Sequence, residues 1–401
     1  MKPISFIQPS RSNLKYLKWS YNSIRKNLGY RHELCWADDA STDGTWEWMV
    51  ETAKKDSNIK LYRNEGPERL GHTILYDKLV ELATCDIVMI FHADMYAPPG
   101  IDEEIHKHID ENTVVSLTRI EPPLHPDGPE KILADYGIEP EEFEELAFLR
   151  KYDELKQNRT TEGIFAPWAI YKKNFEEING HDPLYAPQSK EDSDIFNRFV
   201  LAGYDLIQTW KGLVYHMTSR GSRFKDGAMR NPAGQVFMKG RESSEWLQQN
   251  LRSTRNFIRK WGHMVRHDEL MYPIIPPKYD VGFMVENCDI NMLKELEPWC
   301  SNIYTDCDVQ KYIEDEQPDT QFDLSKKILP YIQGADPKNN ILVRFDAKYL
   351  TPQNFQILVN LSDILKESGE VGDMELEIFK FHVKSLDSYE SELINVVRSN
   401  K

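Results

Sequence analysis

Cysteine is scarce in this chain of 401 residues: there are five, Cys35, Cys85, Cys288, Cys300 and Cys307, with no C-x-x-C pair among them. An odd number without paired spacing excludes a disulfide framework and a zinc knuckle, and leaves reduced structural thiols as the expectation. Long apolar runs are also missing. The longest, Ile87-Val88-Met89-Ile90-Phe91, falls far short of the roughly 20 residues a spanning helix needs, so no transmembrane segment is expected. After Met1-Lys2-Pro3 no charged leader, apolar stretch and small-residue cleavage site follow in order, and the expected location is cytoplasmic. Positive charge is in the minority, 49 Lys and Arg against 65 Asp and Glu for a formal net charge of −16. Nucleic acid held by bulk electrostatics is therefore not an expected partner, although a small basic pocket remains open. What is present is globular: 40% hydrophobic and 28% charged residues, in a chain long enough for two or three domains.

From Ile4 to about Tyr215 short apolar runs alternate with helical patterns, which predicts an α/β fold with a mostly parallel sheet flanked by helices. Strands are expected at Ile4–Ile7, Leu34–Ala37, Ile59–Tyr62, Asp86–Phe91 and Leu213–His216, with Ile164–Tyr171 as a further apolar run. Leu14, Leu17, Tyr21, Ile24 and Leu28 line one face of a helix, and further helices are predicted over 71–83 and from Glu191 onward. An acidic stretch of about 122–160 reads as a helical insertion over the sheet edge, with lid character. The Gly-, Arg- and Lys-rich 219–240 reads as a mobile loop, and a helical extension is expected over about 243–265. The prolines of 273–278 mark a linker. A domain of 1–272 and a smaller C-terminal domain of 279–401 follow. The latter shows a βαββαβ order once its acidic excursion is left out, which suggests an α+β, ferredoxin-like module. Self-association through it is left open.

Four features carry chemistry. Asp38-Asp39-Ala40-Ser41-Thr42-Asp43-Gly44 follows a strand, where ionised carboxylates can accept from a nucleobase N–H or a ribose hydroxyl; a helix-capping turn accounts for only one or two of these acids. His92-Ala93-Asp94 ends the most apolar strand, and residues i and i+2 of an extended segment share a face, so Asp94 can hold Mg2+ or Mn2+ against a diphosphate. Gly180-His181-Asp182 precedes Glu191-Asp192-Ser193-Asp194 at a helix start, where Asp192 can act as general base with Glu191 or Asp194 orienting it. Tyr215-His216 closes the last strand; His216 is a metal-ligand candidate, and Arg220, Arg223 and Lys225 could neutralise a leaving diphosphate. Trp168, Trp210 and Tyr185 are candidate apolar faces for sugar rings. His263 and His267 have the spacing of a zinc helix, but Met264 stands where a zinc protease needs Glu.

Taken together these motifs resemble a family 2 glycosyltransferase with the GT-A fold over about residues 4–220. D-D-x-S-T-D-G-T follows strand two, an x-x-D stands for D-x-D, Gly180-His181-Asp182 is similar to G-G-F-D, and an E-D pair and a closing Y-H complete the set. The resemblance implies that Asp39 contacts the donor base and that Asp94 and His216 bind the metal. It makes Asp192, with Glu191, the catalytic pair of an inverting transfer. Asp38, Ser10, His92, Asp94, Arg220 and Arg223 are carried as donor-side residues, and Asp182 and Trp168 as acceptor-side residues. His92 departs from the family, which usually places an acid there. The implied activity is metal-dependent transfer of a sugar from a nucleoside-diphosphate sugar, with a UDP-sugar as leading donor, to a glycan or other hydroxyl acceptor. The rival reading is a catalytically silent GT-A-fold sugar-binding or scaffold protein.

Overall fold

A computed structural model describes residues 1–220, 227–239, 243–332 and 337–394. The chain forms two compact units, Met1–Leu247 with His267–Pro273, and Gln248–Arg266 with Ile274–Ile394.

In the first unit β1 (Ile4–Ser10), β2 (Glu33–Asp39), β3 (Ile59–Asn64) and β4 (Ile87–Ile90) alternate with α1 (Leu14–Asn27), α2 (Thr45–Ala53) and α3 (Gly71–Leu82). Then come β5 (Met95–Tyr96), α4 (Ile101–His108), β6 (Thr113–Glu121), β7 (Ile132–Leu133), α5 (Glu145–Leu155), β8 (Thr160–Thr161) and β9 (Trp168–Tyr171). After α6 (Lys172–Glu177) and α7 (Glu191–Leu201) the unit ends with β10 (Asp205–His216), β11 (Ala228–Arg230) and β12 (Val236–Met238). The main sheet runs β3-β2-β1-β4-β9-β6-β10-β5 and is mixed. β1 to β4 pair in parallel, as do β6 and β10, whereas β9 and β5 run antiparallel to their neighbours. Every residue of β1, β2, β4 and β6 is buried, the reason these strands read as continuous apolar runs rather than alternating ones. On α1, Leu17, Ile24 and Leu28 are buried as the spacing requires, and Ser20 is buried beside them because its Oγ accepts from Gln8 Nε2 at 2.9 Å.

Two expectations change here. The 122–160 insertion is part of the core rather than a lid. Phe148 and Tyr152 of α5 pack with Tyr16, Tyr96, Ile120, Leu213 and Tyr215, and the Tyr152 hydroxyl donates to the Leu213 carbonyl at 3.1 Å. Within 219–240 the described residues include a hairpin, β11 with β12, not an unstructured loop.

In the second unit, α8 (Ser244–Trp261, of which Gln248 onward belongs here) is followed by β13 (Val281–Glu286), α9 (Ile290–Leu296), β14 (Asn302–Thr305), α10 (Gln310–Glu316), α11 (Leu324–Lys327) and β15 (Ile328–Pro330). β16 (Ile341–Asp346), α12 (Pro352–Val359), α13 (Leu361–Ser368), β17 (Gly372–Leu376) and β18 (Phe379–Val383) complete it. The sheet order is β15-β14-β13-β16-β18-β17. Four strands pair in parallel, β18 runs against them, and β17 turns back antiparallel to β18 into their direction. This is not the antiparallel ferredoxin-like arrangement expected from βαββαβ. The acidic excursion holds the three-residue strand β15, too short to read from periodicity, and the run 375–382 turns back on itself as two strands.

Candidate functional site

Strand register brings distant residues to one rim. Phe91 N–H bonds the Ile7 carbonyl, so His92 and Asp94 leave β4 beside the end of β1. β10 meets β5 antiparallel with His216 opposite Met95, which sets His216 next to Asp94. β10 and β6 run parallel with Tyr215 opposite Ile120, which places Glu121 beside His216. A cavity of about 370 Å³ opens at this rim, lined among others by Arg11, Arg69, His92, Asp94, Glu191 and His216. Carboxyl ends of strands are where open α/β sheets hold ligands.

His92, Asp94 and His216 offer one ligand atom each, all within 4.8 Å of one another. Among the described residues they form the group of this kind able to hold a metal ion. His216 Nδ1 lies 2.9 Å from Glu121 Oε1 and its Nε2 lies 3.4 Å from Asp94 Oδ1. Glu121 is pinned in turn by Arg119 at 2.8 Å and Lys131 at 3.1 Å. This carboxylate-to-imidazole contact is the arrangement that orients a metal-binding histidine. Burial pushes His92 down to about 4, only partly countered by the Asp94 charge, so its imidazole is neutral at pH 7 and able to donate a lone pair. Burial alone would raise Asp94, but the charge and hydrogen bond of His216 and the Arg220 N–H hold it well below its ordinary value. Burial would likewise lower His216; the Asp94 charge and the bonds to Asp94 and Glu121 reverse this and lift it to about 8. A protonated His216 can face both carboxylates, one from each ring nitrogen, and a divalent ion at Nε2 would take the place of the proton there. The group fits a metal ion.

The acidic helix start supplies the second element. Glu191, at the first position of α7, lines the cavity and is only 7% exposed, with Oε2 lacking a hydrogen-bond partner among the described residues. Burial first and the charge of Asp192 second raise its carboxyl above the usual range. Asp192 is also raised by burial, with His181 acting against it. Each charge disfavours the other, so the buried pair holds a proton more tightly than two isolated acids would.

The remaining candidates divide. Asp39 is occupied: its oxygens accept from Asn64 Nδ2 at 2.7 Å, Leu70 N at 3.0 Å and Gly71 N at 2.9 Å, which anchors the start of α3. Gly71 needs to be glycine there, because its φ is +78° and an added Cβ would come within 1.9 Å of the Pro187 carbonyl. Asp38 is buried with Oδ1 lacking a partner among the described residues, and burial raises its carboxyl. Ser10 bonds Asn13 Oδ1 and sits between the lining residues Pro9 and Arg11. The Arg220 backbone N–H donates to Asp94 at 3.2 Å, but its guanidinium is tied to the Thr218 and Ile138 carbonyls and to Glu139 at 3.1 Å. Arg223 and Lys225 lie outside the described residues.

Neither acceptor-side residue lines this cavity. Trp168 is 0% exposed and packed among Phe175, His181, Phe196 and Phe199, so no sugar can reach its face. Trp210 and Tyr185 are buried as well, bonded to Thr161 and Asp194. Asp182 caps a short 3-10 turn by accepting from Leu184 N at 2.9 Å and is not among the cavity residues. Sequence reasoning passed over Arg11, Arg69, His72 and Glu121. The first three lie in polar loops and a helix start without a motif. Glu121 had a signal, a lone acid ending the nine-residue run Thr113–Glu121 at a strand's carboxyl end.

A search of the curated proteins finds no match. Solved structures similar to the chain include GalNAc-T7 with UDP, GalNAc and Mn2+, at 14% identity over 53% of this chain and 43% of that one, TM-score 0.41. The mannosyltransferase PcManGT from Pyrobaculum calidifontis in complex with GDP-Man and Mn2+ is 19% identical over 55% of this chain and 59% of that one, TM-score 0.39. TarS residues 1–349 from S. aureus are 17% identical over 54% and 60%, TM-score 0.39. The chain thus spans from 43% to 60% of the length of these structures. The family model described as Glycosyl transferase family 2 matches residues 5–178, which takes in Asp39, His92 and Asp94 and stops before Glu191 and His216. Residues 5–178 of this chain are a glycosyl transferase family 2 domain.

Proposed function

We propose that the protein is a glycosyltransferase that moves a sugar from a nucleoside-diphosphate sugar to a hydroxyl acceptor with inversion, and that a UDP-sugar is the donor to test first. The observation that carries this reading is the convergence of His92, Asp94 and His216 with the buried Glu191 on one cavity at the carboxyl rim of a family 2 domain. His92, Asp94 and His216 would hold a divalent ion, Mn2+ by preference, which as a Lewis acid would stabilise charge on the departing diphosphate. Arg11 and Arg69 add positive charge to the same wall, and Arg11 Nη1 is buried without a partner among the described residues, a donor suited to a phosphate oxygen. Asp192 takes the proton from the acceptor hydroxyl with Glu191 beside it, and burial raises the Asp192 carboxyl toward the operating pH, which suits a base. Asp38 keeps an oxygen without a hydrogen-bond partner among the described residues, an acceptor left over for a donor N–H or hydroxyl, whereas the oxygens of Asp39 are taken.

The test is donor hydrolysis and transfer with Mn2+ across a panel of nucleotide sugars, using the full chain. We expect turnover of at least one donor. Asp192→Asn should cut the rate about 100-fold or more while leaving donor binding nearly intact, because only the proton transfer is lost. No turnover of any donor, together with no metal-dependent nucleotide binding, would instead support the silent scaffold.

A further inference from the structure

His181 stands where the G-G-F-D pattern carries phenylalanine, just behind the cavity wall. It is 2% exposed, and its ring lies 5.2 Å from that of Tyr76, which lines the cavity, 5.5 Å from Phe175 and 6.3 Å from Trp168. Such neighbours would suit a phenylalanine equally well. They do not account for Asp77 on α3, whose Oδ1 lies 2.9 Å from His181 Nδ1 and whose two oxygens both accept from the His181 backbone N–H at 3.1 Å. The fit is tight, since a Cβ on Gly180 would come within 2.2 Å of Asp77 Oδ2. With Nδ1 so held, the remaining ring nitrogen, Nε2, is buried and has no hydrogen-bond partner among the described residues. A buried polar atom of this kind calls for a role.

Helix α7 packs on the other side. Arg198 donates to the Ile178 and Gly180 carbonyls, both at 2.7 Å, and Phe196, one turn after Asp192, meets Trp168 edge-on at 6.1 Å. His181 is thus clamped between α3 and the helix that opens with Glu191 and Asp192. The ionisable groups facing this space are Tyr76 and Asp77 from α3, and Glu191, Asp192 and Arg198 from α7, with Arg198 tied to Asp194 at 2.8 Å. Burial opposes a charge on Asp192, and the charge of His181 acts against burial. We propose that His181, fixed by Asp77, is the counter-charge that keeps Asp192 ionised at neutral pH and so able to take the acceptor's proton. The inference rests on the transferase reading above and adds two positioning residues, which act through Asp192 and touch no substrate.

Coupling between two ionising groups is reciprocal, so an imidazole that Asp192 senses must sense Asp192 in turn. The full chain is labelled with 15N-histidine and its imidazole signals are followed against pH, those of His181 being the ones missing from His181→Phe or His181→Gln. The His181 midpoint should fall by roughly one pH unit in Asp192→Asn, and also fall in Asp77→Asn, a reading that needs no turnover. In activity assays His181→Phe should move the acid limb of kcat/KM to higher pH, with about a 10-fold loss on that limb and recovery above it. A purely structural role would lower the rate by one factor at every pH. An unchanged His181 midpoint in Asp192→Asn, or a uniform loss in His181→Phe, overturns the proposal and leaves the transferase standing. No turnover of any donor by the wild type overturns both.

Discussion

Glu121 touches no ligand in the proposed reaction, yet it decides which nitrogen of His216 faces Asp94. With Nδ1 held at 2.9 Å by the Glu121 carboxylate, Nε2 is the atom left for a metal ion. Glu121→Gln should weaken Mn2+ affinity by about 10–100-fold, the usual cost of losing such an orienting partner, as measured by calorimetric titration. An unchanged affinity would show that packing alone holds the ring. The Glu191–Asp192 pair gives a second prediction. Both carboxyls are raised from ordinary values of 4.5 and 3.8, so the folded state binds their protons more tightly than the unfolded chain does. Their contribution to stability is fully present below those values and is lost as pH rises through the raised ones. Glu191→Gln removes one titration, and its Tm should gain on the wild type between pH 5 and pH 9 in scanning calorimetry. A constant difference would mean that Glu191 is not raised. Of these residues, His92, Asp94, Glu191, Asp192 and His216 were readable because each ends a strand or opens a helix whose period is plain. Trp168 misled because an aromatic residue beside a motif looks the same in sequence whether it faces a cavity or the core.

At the scale of elements, α5 separates the two readings of the insertion. A lid would hinge over the site and tolerate truncation of its buried side chains, whereas α5 places Phe148 at 0% exposure against Tyr96, Tyr136, Tyr152 and Tyr215. Phe148→Ala should therefore cost about 3–5 kcal/mol in urea unfolding, the range for emptying an aromatic core position. A loss near zero would restore the lid. The same insertion carries Glu139, which accepts from the Tyr16 hydroxyl at 2.6 Å and pairs with Lys15 at 2.7 Å and Arg220 at 3.1 Å. Arg220, whose backbone meets Asp94, is thus braced from the insertion. The acidic composition of 122–160 suggested a solvated excursion. Its few aromatic residues, spaced to meet Tyr215 and Leu213, carry the packing, and an average over the stretch hides them.

Across the molecule each unit is built round its own sheet, and the second holds a buried charge network of its own. Glu297, 0% exposed, meets Arg259 Nη2 at 2.6 Å, Lys327 Nζ at 2.6 Å and the Tyr312 hydroxyl at 2.8 Å. Burial would raise its carboxyl, but the charges of Lys327 and Arg259 hold it at about 2. Glu297→Gln leaves two buried cations short of their counter-charge and should cost about 3–5 kcal/mol. Calorimetry of the full chain should show the loss, while Mn2+ affinity, a property of the first unit, stays the same. A fall in both would mean that the units do not behave independently. No local pattern announced this network, since Arg259, Glu297 and Lys327 come from separate elements and each looks like an ordinary surface charge in sequence.

The sequence by itself determined the alternating βα order from Ile4 to Phe91 and the placing of acids and histidines at strand ends, because period and chain punctuation are local properties. It also carried the family, through a run of residues whose spacing is its own signature. Only the tertiary structure decided which of those side chains meet. Strand order and register joined Asp94, His216 and Glu121, turned Asp39 inward to hold α3, and sank Trp168 into the core. The direction of strands in the second unit was settled the same way. Pairing between strands far apart in sequence depends on which surfaces bury together, and a one-dimensional pattern does not record that.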